Sequence, residues 1–458
     1  MSNYRTENPA TGEIEQTFDE LDLDGAIAAV DRAHQAYQRW AGTPATQRAA
    51  ILRRTADLYD ERSAELARTI AVEMGKPLTE ATGEVELAGS IFRWYAEHGP
   101  QLLEEEELDP QGALSSVVLK RPVGVLLGVM PWNFPYYQVA RFAAPNLMLG
   151  NTILLKHAGI CAASASLIEE IFQQAGLPQD AYVNIFAPSK LIADVIADPR
   201  VQGVSLTGSE AAGASVAEAA GKNLKKSVLE LGGSDAMLVL DAADVESVAA
   251  TAAKARLSNC GQACNSPKRM FVADEIHDEF LTALVREVEQ AEVGDPTKDS
   301  TDVGPMSSRQ ARDDLEELVR DAVDKGATVK TGGQALDGPG AFYAPTVLVG
   351  ITPEMRAWSE ELFGPVVMVY RMTDVDEAVR TANDSSFGLS GSVWSDDPHK
   401  GADVAARLDV GMAYVNEHGT TLPGLPFGGV KRSGYGRELA EDGMNEFVNR
   451  KLLRVATK

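Results

Sequence analysis

Residues 123–155 read VGVLLGVMPWNFPYYQVARFAAPNLMLGNTILL, and the order of patterns in this stretch decides the fold class. Val123–Val129 is an apolar run of strand length with no charge, the signature of a strand buried on both faces. Pro131-Trp132-Asn133-Phe134-Pro135 then breaks the pattern. Residues 136–149 suit a buried helix, and Thr152–Leu155 is a second short apolar run. Strand, turn, helix, strand is a crossover unit, and crossovers join parallel strands.

The alternation continues outward. Strand-like runs follow at Tyr182–Phe186, Val204–Leu206, Val228–Leu229 and Met237–Leu240, with helix-like stretches at 162–175, 190–197 and 211–221. This predicts a doubly wound α/β layer, whose ligands bind beyond the carboxyl ends of the strands. Upstream, residues 24–105 read as helices. Asp24 is the expected cap, with Ile27, Val30, Ala33 and Ala36 at helical spacing, and amphipathic stretches follow at 45–74 and 77–104. The charge run Glu104–Glu107 reads as a helix end or loop. Ser115–Arg121 and the tail from Glu446 to Thr457 read as strands that could pair with each other or with another subunit. A second alternating block spans 244–430, with helices near 244–257, 274–290 and 307–325 and strands near 366–371 and 412–415. Leu231-Gly232-Gly233 is the expected boundary, because paired glycines permit a tight reversal.

A chain of 458 residues predicts two or three domains. Its formal charge of −25 repels phosphate backbones and anionic lipids, which argues against nucleic-acid and membrane partners. Three cysteines do not make a disulfide framework, and residues Met1–Pro9 lack the apolar core of a signal peptide, so a cytoplasmic setting is expected. His34, His98, His157, His277, His399 and His418 show no ligand spacing, so no catalytic metal is expected.

Three segments carry chemistry. In Ser258-Asn259-Cys260-Gly261-Gln262-Ala263-Cys264, Gly261 permits a sharp turn ahead of Cys264. A sulfur presented at a loop or helix N-terminus has a lowered pKa and can act as a nucleophile; alone, the loop equally suits a buried structural cysteine. Glu230, between Leu229 and Leu231, is a lone acid in an apolar setting. Burial would raise its pKa and suit it to act as a base, although a surface or ion-paired glutamate fits the same residues. Asn133 at a strand end can aim its amide at a developing oxyanion, or simply make a turn.

Together these segments resemble the aldehyde dehydrogenase superfamily. The likeness runs from Asn8-Pro9-Ala10-Thr11-Gly12 through Thr207-Gly208-Ser209 and Glu360-Glu361-Leu362-Phe363-Gly364-Pro365. It ends in Pro426-Phe427-Gly428-Gly429 and Lys431-Arg432-Ser433-Gly434-Tyr435-Gly436-Arg437-Glu438. The resemblance implies a Rossmann-type dinucleotide-binding domain at 1–103 and 123–231. It also implies a catalytic α/β domain at 232–445 and a small oligomerisation flap at 104–122 and 446–458, hence a homodimer or homotetramer. It implies that Cys264 attacks an aldehyde and Asn133 holds the oxyanion. Glu230 would then activate water to hydrolyse the thioester, since coenzyme A-acylating relatives commonly lack that acid.

The cofactor residues implied are Trp132 and Lys156 on the adenosine side, Ser209 at the pyrophosphate, Leu231, Glu361 at the nicotinamide ribose, and Phe363. Gly208-Ser209-Glu210-Ala211-Ala212-Gly213 lacks the Lys-Ser/Thr of a nucleotide triphosphate loop but can offer helix N-terminal amides to a pyrophosphate. NAD-preferring relatives often place Glu three residues after the Lys; here that position is Gly159. A carboxylate about 4 Å from a 2′-phosphate would cost roughly 4 kcal/mol at an effective dielectric near 20. NADP is therefore the expected cofactor, with NAD a weaker alternative.

For the substrate, Arg141 stands where general aldehyde dehydrogenases often carry an aromatic side chain and where succinate-semialdehyde dehydrogenases carry Arg. Thr421 keeps the hydroxyl of a Ser in those enzymes, and Phe134 and Phe427 are the expected walls. Several of these relatives carry a second Arg where this chain has Ser258, which leaves other ω-semialdehydes and aliphatic aldehydes open. A silent scaffold or a thiol hydrolase is the reading from another class. Cys260, four residues before Cys264, is either a small core filler or the partner in a reversible disulfide.

Overall fold

A computed structural model describes residues 3–457; the outermost positions of the expected ranges 1–103 and 446–458 lie outside it. Among the described residues, three larger sheets organise the chain beside two two-stranded ones. The first has six strands in the order Gly434–Tyr435, Lys226–Glu230, Val201–Thr207, Val125–Met130, Thr152–His157 and Tyr182–Asn184. All pairings are parallel except the first. The aliphatic runs explain why: Leu126, Leu127, Ile153, Leu154, Leu155 and Val204 are fully buried, which a sheet covered by helices on both faces demands.

The chain leaves Val125–Met130 toward Thr152–His157 on one side and returns beside it on the other with Val201–Thr207. Strand order thus reverses at Val125–Met130, and the crevice beyond the carboxyl ends is where such folds bind ligands. Asn133, Ser209 and Glu230 all follow or end strands at that rim.

The second sheet has seven strands in the order Thr328–Thr331, Thr346–Val349, Val366–Met372, Pro267–Ala273, Asp235–Val239, Ser390–Trp394 and Met412–Val415. It is parallel except for Thr328–Thr331. A third, antiparallel sheet pairs Val448–Ala456 with Ala113–Pro122, and the latter with Glu106–Glu107.

Four details differ from expectation. The first long helix, Leu23–Trp40, is capped by Asp22, whose side chain accepts from the Gly25 amide; Asp24 lies in the first turn. The stretch 45–74 is two helices, Ala45–Glu61 and Ser63–Met74. The charge run 104–107 ends in a short edge strand, because Glu106 and Glu107 pair with Val118 and Val117. Gly434–Tyr435, expected within the catalytic range 232–445, instead pairs with Glu230 and Leu229 of the first sheet. A Cβ at Gly434 would stand within the contact distance of the Leu229 carbonyl, so only glycine allows this return.

The helix Tyr137–Leu149 is buried along its whole length. Phe142 packs edge-on to Phe447 at 6.2 Å, tying this helix to the root of the third sheet. Phe142→Ala should cost about 3–5 kcal/mol, seen as a lower urea midpoint.

Candidate active site

The two loops expected to carry the chemistry, those of Asn133 and Cys264, touch directly. The Asn133 Nδ2 amide donates to the Gln262 carbonyl at 3.0 Å, and Asn259 Nδ2 donates to the Asn133 carbonyl at 2.8 Å. The Asn133 side-chain oxygen accepts from Gln138 at 2.9 Å, which fixes the orientation of the amide.

The cysteine loop bends sharply. Asn259, Cys260 and Gly261 all have positive φ, at 54°, 54° and 69°. A Cβ at Gly261 would lie 2.1 Å from the Gly364 carbonyl oxygen, so no other residue fits there without movement. Arg256 donates to the Gly261 carbonyl at 2.9 Å, and Gln262 accepts from the Ser307 amide at 2.8 Å. Cys264 follows in a turn that leads into the strand Pro267–Ala273, not at a helix N-terminus. The expected lowering of its thiol pKa is accordingly not found. Burial pushes the thiol up to about 12, opposed by the charges of Lys268 and Arg141.

Two chambers meet at this sulfur. One, of about 300 Å³, is lined by Trp132, Asn133, Ser209, Leu231, Glu361 and Phe363 together with Cys264. The other, of about 310 Å³, is lined by Phe134, Arg141, Ser258, Thr421 and Phe427, again with Cys264. The sequence reading missed Gln138, common to both, and Tyr137 and His418 in the second. His418 is neutral: burial lowers its pKa to about 4 while its ring nitrogens meet Ser392 and the Asn265 carbonyl.

Glu230 lines neither chamber. Its carboxyl is buried, and a Cβ at Gly428 would come within 2.8 Å of Oε1. Burial raises its pKa well above the carboxylate range, with Arg141 opposing and Glu438 adding to the rise. Arg141 is not a free tunnel cation either. Its Nε pairs with Glu438, Nη1 donates to the Tyr137 hydroxyl at 3.1 Å and Nη2 to Thr207 at 3.2 Å. The guanidinium also lies 4.3 Å from the Phe427 ring centre. Burial works against its charge, but Glu438 and the neighbouring anions hold its pKa above the ordinary value. Two of its five N–H groups are left for other partners.

Trp132 and Lys156, expected together, lie in different cavities. Trp132 meets Phe363 edge-on at 5.7 Å in the chamber beside Cys264. Lys156 and Gly159 line a separate cavity of about 450 Å³ with Ser189, Lys190 and Glu20. A Cβ at Gly159 would stand 2.3 Å from the Asn3 carbonyl oxygen, so a longer residue does not fit. The Lys156 cavity nevertheless contains a carboxylate, because Glu20 arrives from a distant segment that no local motif announces. Lys268 was also missed. Fully buried, it donates to the carbonyls of Ala263 and Cys264 at 2.8 and 2.9 Å and pairs with Glu361 at 3.1 Å. Among the described residues no group of His, Cys, Asp and Glu could hold a metal ion.

The model of the aldehyde dehydrogenase family matches residues 2–453. The chain belongs to this family. Among relatives of this aldehyde dehydrogenase, a protein named succinate-semialdehyde dehydrogenase (NADP+) from Deinococcus radiodurans is 55% identical over 98% of this chain and 94% of its own length. One of the same name from Mycobacterium avium is 42% identical over 99% and 96%. The crystal structure of succinic semialdehyde dehydrogenase from Streptococcus pyogenes with NADP+ as the cofactor superimposes with a TM-score of 0.97 at 41% identity. It covers 99% of this chain and all of that one.

A thiol held near pKa 12 is almost wholly protonated at neutrality. In enzyme without ligands, the iodoacetamide alkylation rate of Cys264 should rise about tenfold per pH unit from pH 7 to 9. A plateau beginning in that window, measured by mass spectrometry of the Cys264 peptide, would contradict this.

Proposed function

We propose that this aldehyde dehydrogenase oxidises succinate semialdehyde to succinate with NADP. The observation that carries the reading is the meeting of two chambers at Cys264, one with a dinucleotide's contacts and one with a single buried cation. The first fits the cofactor well. Glu361 offers a carboxylate for ribose hydroxyls, Ser209 starts the helix Glu210–Lys222 whose amides suit a pyrophosphate, and the rim at Gly232 is so close to Glu361 that a Cβ would stand 2.5 Å from Oε2. When bound, the nicotinamide supplies hydride acceptance. Lys156, with Lys190 in the same cavity, suits a 2′-phosphate; Glu20 opposes it and tempers the preference over NAD.

In this mechanism the Cys264 thiol first gives up its proton to solvent water, and the thiolate then attacks the aldehyde carbon. A C–S bond forms, and the carbonyl electron pair moves to oxygen, where the Asn133 amide and the Cys264 backbone N–H hold it. Loss of hydride restores the C=O bond and leaves a thioester on Cys264. Glu230 turns out of its niche, takes a proton from water, and the resulting hydroxide displaces the thiolate. A raised pKa makes the Glu230 carboxylate a stronger base for this transfer. In the second chamber the free N–H groups of Arg141 and the Thr421 hydroxyl receive the distal carboxylate.

A homodimer or homotetramer accompanies this reading. The edge strand Val448–Ala456 exposes Leu452, Leu453 and Val455, an apolar surface suited to a second copy. A cytoplasmic setting is supported by three unpaired cysteines. No helix among the described residues is long and apolar enough to cross a membrane.

Steady-state comparison tests the assignment. The kcat/KM for succinate semialdehyde should exceed that for propanal or butanal, and NADP should outperform NAD. Equal or better turnover of glutarate semialdehyde or of the aliphatic aldehydes would move the assignment to them. Arg141→Met should raise KM for succinate semialdehyde about 10–100-fold more than KM for butanal, since a charged hydrogen bond contributes about 1.5–3 kcal/mol. Equal changes for both substrates would remove Arg141 from carboxylate recognition.

A further inference from the structure

The helix Leu78–Leu102 begins beside both catalytic loops and presents two carboxylates one turn apart, Glu80 and Glu84. Glu80 accepts from the Asn259 amide at 2.6 Å and so holds the cysteine loop. Glu84 accepts from the amides of Tyr136 and Tyr137 at 2.8 and 3.2 Å, which are otherwise unsatisfied donors at the start of the helix Tyr137–Leu149. Lys76, just ahead of Leu78, pairs with the other oxygen of Glu84. Its Nζ also donates to the Asn133 carbonyl at 2.9 Å and lies 3.7 Å from the Phe134 ring centre. Both members of the pair are fully buried.

A buried ion pair is a poor source of stability, because desolvating both charges offsets most of their attraction. What this pair does supply is geometry. It fixes the backbone of Asn133 from one side while Asn259 fixes the same carbonyl from the other. The backbone of Asn133 is therefore held by groups that line neither chamber. We propose that Lys76 and Glu84 are positioning residues that hold the Asn133 amide at the place where the oxyanion develops. The proposal rests on the reading of Asn133 as the oxyanion donor.

The test is a double-mutant cycle on single-turnover NADPH formation. Lys76→Met alone would strand a buried carboxylate and threatens folding, so the pair is neutralised together as Lys76→Met/Glu84→Gln. Glu84→Asp, which keeps the charge and withdraws the carboxylate by one methylene, is the milder companion. The double variant should slow hydride transfer about 10–100-fold, the order expected for misplacement near 1 Å. KM for the aldehyde and Kd for NADP should stay within threefold, and Glu84→Asp should fall between. In an Asn133→Ala background the pair should have no further effect on the rate, although Tm still falls. Rates that multiply across the two backgrounds, or a brace variant as fast as the parent, overturn the proposal alone. An Asn133→Ala enzyme that transfers hydride at the parent rate overturns the oxyanion reading and the proposal with it.

Discussion

The hydrogen bonds that join the Asn133 turn to the Asn259–Gln262 turn are the constraint on which the site depends. Each turn belongs to a different sheet: one leaves Val125–Met130, the other enters Pro267–Ala273. Neither turn alone defines a reaction geometry. Once Asn133 donates to Gln262 and receives Asn259, the sulfur and the amide share one frame. The positive φ values at Asn259, Cys260 and Gly261 show that the chain adopts an unfavourable backbone to achieve this, held there by Arg256, Gln262 and Ser307.

Around that frame, charge is buried in matched sets. Lys268 links Glu361 to the carbonyls of the cysteine loop, and Arg141 faces Glu438 and biases Glu230. These groups lie in a medium where charges are weakly screened, so each one shifts its neighbours' protonation. The protonated thiol of Cys264 and the raised carboxyl of Glu230 are consequences of the same desolvation. A thiol kept protonated is also less open to oxidation, which follows the thiolate.

Much of the fold was legible in the chain. The crossover pattern at 123–155 predicts strands and a helix that the structure has at Val125–Met130, Tyr137–Leu149 and Thr152–His157. The strand expected near 412–415 spans Met412–Val415. The strands Pro267–Ala273 and Ser390–Trp394 were not read. The first carries Lys268 and Arg269, which look like surface residues until the buried carbonyls they bind are known. Residues brought together from distant segments were equally hidden: Lys76 and Glu84 beneath Asn133, Glu438 against Arg141, and Glu20 beside Lys156.

The sequence by itself determined the class of fold, the candidate nucleophile and many of the residues that line the two chambers, because these reside in local patterns and short motifs. Tertiary structure alone decided how those residues are electrically dressed. Whether Arg141 is free or paired, whether Cys264 is thiol or thiolate, and which way Glu230 points depend on burial and on partners far away along the chain. Electrostatic interaction follows distance in space and local dielectric, and neither is written in the order of the residues.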